Sequence, residues 1–238
     1  MLRFGVLLSI VGLLSQLLLR LDSLVVGLSL GTEALGLYYL GPQVAAAAAA
    51  VPLSLAVIAW PNLMETYGRG GPAEMVPHLE RYLRPIGLVI SPLVAAIGVF
   101  GISVLVDGFL PDFEPGLSAM KIFILTVVFV HSISLLHQVL IAVRRVMLLI
   151  ALTAAGVVVQ AAVLAIGSIG DLALTTAAWS AVAGQATIAL LLLIASARLM
   201  RVGGAALRRF WMRVPLVWSA LLALILLLDR LAPAADGL

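Results

Sequence analysis

Residues 2–30, LRFGVLLSIVGLLSQLLLRLDSLVVGLSL, decide how the rest of the chain is read. The run is apolar and long enough to cross the ~30 Å hydrocarbon core of a bilayer, which takes a helix of about 20 residues. Arg20 and Asp22 nevertheless lie inside it. At the bilayer centre such side chains cost roughly 2.5–3.5 kcal/mol each on insertion scales, so they persist only where a cavity, water or a partner receives them. Two positions apart, they stand about 200° from each other around a helix and cannot pair directly. The expectation is that one faces a central cleft and the other the interior of the helix bundle.

The composition of the whole chain agrees with a membrane solvent: 63% of the 238 residues are apolar and 11% charged, with a mean hydropathy of +1.22. These values describe an all-α, polytopic membrane helix bundle. The absence of cysteine excludes disulfides, thiolate metal sites and cysteine nucleophiles. Apolar stretches predict about seven transmembrane helices, at 2–30, 37–63, 83–106, 122–143, 146–167, 173–197 and 215–228. The connectors alternate in charge. Arg3, then Arg69, Arg81 and Arg84, then Arg144 and Arg145, then Arg198, Arg201, Arg208, Arg209 and Arg213 fall on one side; Glu33, Asp107, Asp112, Glu114 and Asp171 dominate the other. By the positive-inside rule the N-terminus is cytoplasmic, and the basic pI of about 9.8 reflects topology rather than nucleic-acid binding. The arginines flanking the spans are read as anchors to membrane lipids, with 198–213 as an interfacial helix. A cleaved signal peptide is the competing reading of the first segment, but the run is too long and no small-residue cleavage site follows.

Pro42, Pro52 and Pro61 lie in or beside the second span, next to the alanine run 45–50. Each proline inside a helix removes a backbone donor and bends the axis, so Pro52 and Pro61 are expected as kinks, either in a tightly packed structural helix or in one that changes shape during transport. Gly27-Leu28-Ser29-Leu30-Gly31 matches G-x-S-x-G, but that motif needs a strand-to-helix turn with acid and histidine partners, and here it ends a membrane helix. His131 and His137 are six residues apart, about 240° around a helix, and cannot ligate one metal from one face. His131, Ser134 and Gln138 share a face, and with Gln160 and Gln185 they line a cavity or hydrogen-bond between helices. An imidazole's ordinary titration near neutral pH also leaves His131 open to proton sensing.

The ordered set Asp22, Val26-Gly27, Leu30-Gly31, Ala34-Leu35-Gly36-Leu37-Tyr38, Pro52, Pro61 and Tyr67-Gly68-Arg69-Gly70 resembles the opening helix pair in one half of the multidrug/oligosaccharidyl-lipid/polysaccharide (MATE-like) exporter superfamily. Its polysaccharide-biosynthesis flippase branch fits best. The resemblance implies one lobe of a two-lobe transporter, apparently the C-terminal half: a six-helix lobe with a basic end at 1–213 and an additional helix at 214–238. The second lobe would come from the same gene, a separate chain or a homodimer. The implied activity is movement of a lipid-linked oligosaccharide or polysaccharide precursor, such as that of lipopolysaccharide, across the cell (inner) membrane by alternating access. Within that reading the candidate substrate contacts are Arg20, Gln16, His131 and Gln138, with Arg20 the cation for the pyrophosphate. Asp22 is the candidate ion-coupling residue, because a proton or sodium ion relieves the cost of a carboxylate in hydrocarbon. No catalytic residue, metal or cofactor is expected. The alternatives are a cation-coupled multidrug or lipid II-type exporter of the same superfamily, a membrane-embedded glycosyltransferase or acyltransferase, and a noncatalytic membrane scaffold.

Overall fold

A computed structural model describes residues 2–170 and 172–200. The expected seventh span at 215–228, the basic stretch from 201 to 213 and the boundary at 213/214 lie outside the described residues. Those described form helices and no strand. In order they are α1 (Leu2–Ser29), α2 (Gly31–Gly70), α3 (Pro72–Pro85), α4 (Ser91–Phe109), α5 (Leu117–Ile124), α6 (Val127–Ala142), α7 (Val146–Gly167) and α8 (Leu174–Leu199). A π-helical turn, Ile86–Ile90, joins α3 to α4, and a 3-10 turn, Pro111–Gly116, leads into α5. Among the described residues, six continuous segments are long and apolar enough to cross a membrane: Arg3–Ser29, Gly31–Gly70, Glu74–Phe109, Pro111–Ala142, Val146–Gly167 and Leu174–Leu199. The protein is a multi-pass, all-α membrane bundle, and each of the first six expected spans overlaps one of these segments.

Two boundaries differ from expectation, for a common reason. The second span was expected at 37–63, but α2 runs through 40 residues, about 60 Å at 1.5 Å per residue. The fourth was expected at 122–143, but its helical path starts at Pro111. Helical hydrogen bonds close within the helix and continue past the hydrocarbon, whereas hydropathy marks only the part that is immersed. The third span likewise begins with an amphipathic lead. In α3, Met75, Leu79 and Leu83 are buried at a spacing of four while Arg81 and Arg84 are exposed, so one stripe faces the bundle.

The α1–α2 connection is a single residue, Leu30, followed by Gly31 at φ +89°. That left-handed conformation is open to glycine without steric cost, and it folds the two helices back on each other at once. Leu30 N–H still donates to Val26 O at 2.8 Å, which closes the last turn of α1. Positions equidistant from this joint are therefore neighbours across the hairpin. At the other end of the bundle, Phe4 and Leu7 of α1, Arg144 and Arg145 of the α6–α7 turn, and Leu199 of α8 line one crevice. The start of α1, that turn and the end of α8 thus share an end.

The interior lies along α5, α6 and α8, where Met120, Ile124, Leu136, Leu140 and Ile188 are fully enclosed. Outward-facing Leu13, Phe100, Val104 and Val158 form the apolar exterior that a lipid solvent accepts. α7 and α8 approach each other closely at two glycines. A Cβ on Gly156 would stand 3.0 Å from Gly184 O, and one on Gly184 would stand 3.1 Å from Gly156 O and 3.0 Å from the Cβ of Gln160. Small residues let the backbones meet there. Gly156→Leu or Gly184→Leu is expected to destabilise the bundle by about 1–3 kcal/mol, read as a lower thermal unfolding midpoint of the detergent-purified protein.

Candidate functional site

The two ions of α1 are answered separately by consecutive tyrosines of α2. Asp22 is 0% exposed, and its Oδ2 accepts a hydrogen bond from Tyr38 Oη. Tyr38 is buried as well, with its ring edge-to-face against Phe123 of α5, centroids 6.0 Å apart and planes at 88°. Such a pair fixes the phenol in place. No side-chain donor among the described residues reaches Asp22 Oδ1, which is also buried. Arg20, on the opposite face, is exposed. Its Nη1 donates to Tyr39 Oη at 3.1 Å, and the guanidinium carbon lies 5.9 Å from the Tyr39 ring centroid, within range of a cation–π attraction. The division between cleft and interior expected from the 200° separation is the one observed.

Arg20 opens onto a cleft of about 380 Å³ between α1, α2, α5, α6 and α8. Gln16, one helical turn before Arg20, lines the same wall, and Pro42, Gln43, Thr126 and Gln185 complete the polar and backbone-distorting part of it. Arg20 lies nine residues before the end of α1, about 14 Å along the axis. The cleft therefore places a permanent cation and three amides well inside the span, with the Tyr39 phenol against the cation. Arginine's planar fork of donors suits phosphate or carboxylate oxygens, which take it in two parallel hydrogen bonds.

His131 and Gln138 do not line this cleft. His131 is 0% exposed. Its Nδ1 shares a 3.0 Å hydrogen bond with Ser91 Oγ and its Nε2 a 2.8 Å bond with Ser132 Oγ. A Cβ on Gly87 would stand 2.8 Å from that Nε2, so the imidazole packs into the space beside the π-helical turn. Its position on α6 brings it against Ser91 of α4 and Gly87 of the π-helical turn. Gln138 is half-buried and lines neither the Arg20 cleft nor the compartment beside it. The histidine that the second compartment does contain is His137. Gln160 is fully enclosed, and neither of its amide atoms has a partner among the described residues.

Pro52 is buried and Pro61 exposed, both within the continuous α2. Each leaves the carbonyl four residues before it, those of Ala48 and Val57, without its helical donor. A π-helical turn occurs in the next span, at Ile86–Ile90, between Pro85 and Pro92. Among the described residues, no three His, Cys, Asp or Glu side chains converge as a metal site.

Gln185, named from sequence as a cavity-lining candidate, does line the Arg20 cleft, whereas Tyr39 and Gln43 are not among the sequence candidates. The one-residue joint at Leu30 is the signal that finds Tyr39: Arg20 lies ten residues before Leu30 and Tyr39 nine after it, so the hairpin brings them level. Tyr38→Phe removes the side-chain donor to Asp22 and is expected to cost about 1–3 kcal/mol. Tyr39→Phe, at an exposed contact, is expected to stay within about 0.5 kcal/mol of the parent. Parallel thermal melts of the two variants in one detergent make the comparison. No protein-family model, curated protein or solved structure matches this chain.

Proposed function

We propose that the chain is one lobe of a flippase that moves a lipid-linked saccharide across the cell membrane by alternating access, with the Arg20 cleft as the path of its phosphate-bearing head. The observation that carries this reading is Arg20 itself, exposed toward the open side of α1 and α2 and steadied by Tyr39. A guanidinium does not face hydrocarbon without cost, so that side is covered by water, a ligand or a second lobe rather than by lipid chains. Gln16 and Gln43 on the same wall supply neutral donors and acceptors beside the cation, as a phosphorylated and hydroxylated substrate requires. The second lobe is a second copy of this chain or another polypeptide, and the two rock about the shared cleft.

Asp22 supports a cation-coupled exporter as the second reading. Its carboxylate is buried with one oxygen open to a proton or sodium ion, and it sits on the same helix as Arg20. In either reading the chain is a transporter rather than an enzyme, with its N-terminus cytoplasmic and the Arg144–Arg145 turn on the same side.

In cells lacking the native protein, Arg20→Gln is expected to reduce export of surface saccharide by roughly tenfold or more, the worth of a charge-assisted hydrogen bond. Arg20→Lys, which keeps the charge but loses the fork, is expected to retain part of it. Full export by a stably inserted Arg20→Gln protein would end this reading. The chain has no cysteine, so single introduced cysteines map orientation without background. Glu33→Cys and Asp112→Cys are expected to react with a membrane-impermeant maleimide on intact cells, and Arg144→Cys only after permeabilisation.

A further inference from the structure

Beside the Arg20 cleft lies a second compartment of about 190 Å³. Leu19, Leu53, Val130 and Gln185 line both spaces, which are therefore adjacent. The second is walled mainly by leucine, isoleucine and valine, with Ser15, Ser134, His137 and Gln185 set among them. It extends toward the end of the bundle that carries Phe4 and Arg144. Along α1, Ser15 lies five residues from Arg20 in that direction, and along α6, His137 lies eleven from Thr126, about 8 and 16 Å at 1.5 Å per residue.

Two of the side chains lining this compartment each carry a buried polar atom without a partner among the described residues. Gln185 is 3% exposed, and its Oε1 has no hydrogen-bond partner among the described residues. Nε2 of His137 is also buried without one. Polar atoms left so in an apolar wall carry the full cost of desolvation, and native structures complete them with water or a ligand. A hydroxyl both donates and accepts, so it satisfies the amide oxygen and either tautomer of the imidazole. A hydrocarbon chain satisfies neither.

We propose that this compartment is a second subsite, in which Gln185 and His137 hydrogen-bond the uncharged, hydroxyl- or acetamido-bearing part of the ligand, one saccharide ring, while its phosphate meets Arg20. The inference rests on the reading of the cleft as a path for a lipid-linked saccharide. It assigns specificity within that path: Arg20 recognises that the lipid is phosphorylated, and Gln185 with His137 recognises that it is glycosylated. Sites built to hydrogen-bond a substrate group discriminate strongly against analogues that lack it.

The test compares polyprenyl pyrophosphate with polyprenyl-pyrophosphoryl-N-acetylglucosamine of the same chain length, each titrated against the full chain in nanodiscs by native mass spectrometry. The parent protein is expected to prefer the glycosylated lipid by roughly tenfold, the worth of one or two net hydrogen bonds. His137→Leu, whose residue lines the second compartment alone, is expected to remove that preference and leave binding of the bare pyrophosphate unchanged; Gln185→Met, whose residue lines both spaces, is expected to remove the preference as well, and an unchanged melting temperature shows that both variants fold. Arg20→Gln is expected to weaken both lipids. A preference that survives in both Gln185→Met and His137→Leu overturns the subsite while the Arg20 result leaves the cleft reading standing. A parent protein without preference overturns it too. If Arg20→Gln weakens neither lipid, or the parent binds neither, the reading of the cleft falls and the subsite with it.

Discussion

Hydrocarbon offers no hydrogen bonds, so the carboxylate of Asp22 must find its partners within the protein, and Tyr38 is the side chain that reaches it. That contact sets the rotation of α1 against α2. With Asp22 turned inward, Arg20 is necessarily turned outward, and the cleft acquires its cation. Phe123 holds Tyr38 from the far side, which ties α5 to the same arrangement. The tight Leu30–Gly31 joint brings the partners level without a loop whose ordering would cost conformational entropy.

Packing and cleft lining are shared unevenly among the helices. α7 and α8 meet through Gly156 and Gly184, and α8 also carries Gln185 to the cleft. α6 does both. Its His131 side is absorbed by the π-helical turn and Ser91, while its Val130, Ser134 and His137 side faces the open compartment. π-Helical turns persist where a side chain or function stabilises the extra residue, and here the enclosed imidazole occupies that position.

Much of this was legible from residues alone. Apolar runs marked six spans, and the spacing of Arg20 and Asp22 separated cleft from interior before any partner was known. The rest depends on long-range contacts. Two histidines six residues apart occupy different faces of a helix, but nothing local says which face meets α1; tertiary packing placed His137, not His131, on the open side. Likewise the π-helical turn Ile86–Ile90 lies between Pro85 and Pro92, and the α6 residue packed against it, His131, is distant in sequence. The length of α2 was underestimated because helix and hydrocarbon end at different places. Gln138 shared its expected face with His131 by arithmetic, and both lost the cleft together.

The back-to-back placement of Arg20 and Asp22 makes α1 a cam. Turning a rigid helix about its axis moves its opposite faces in contrary directions, so any rotation that draws Arg20 deeper into the bundle swings Asp22 out by the same angle. The Tyr38 and Tyr39 contacts sit on neighbouring residues of one partner helix, and neither can be traded for another by such a turn without straining its fellow. A turn of α1 large enough to break the Arg20–Tyr39 contact therefore also disturbs the Asp22–Tyr38 contact.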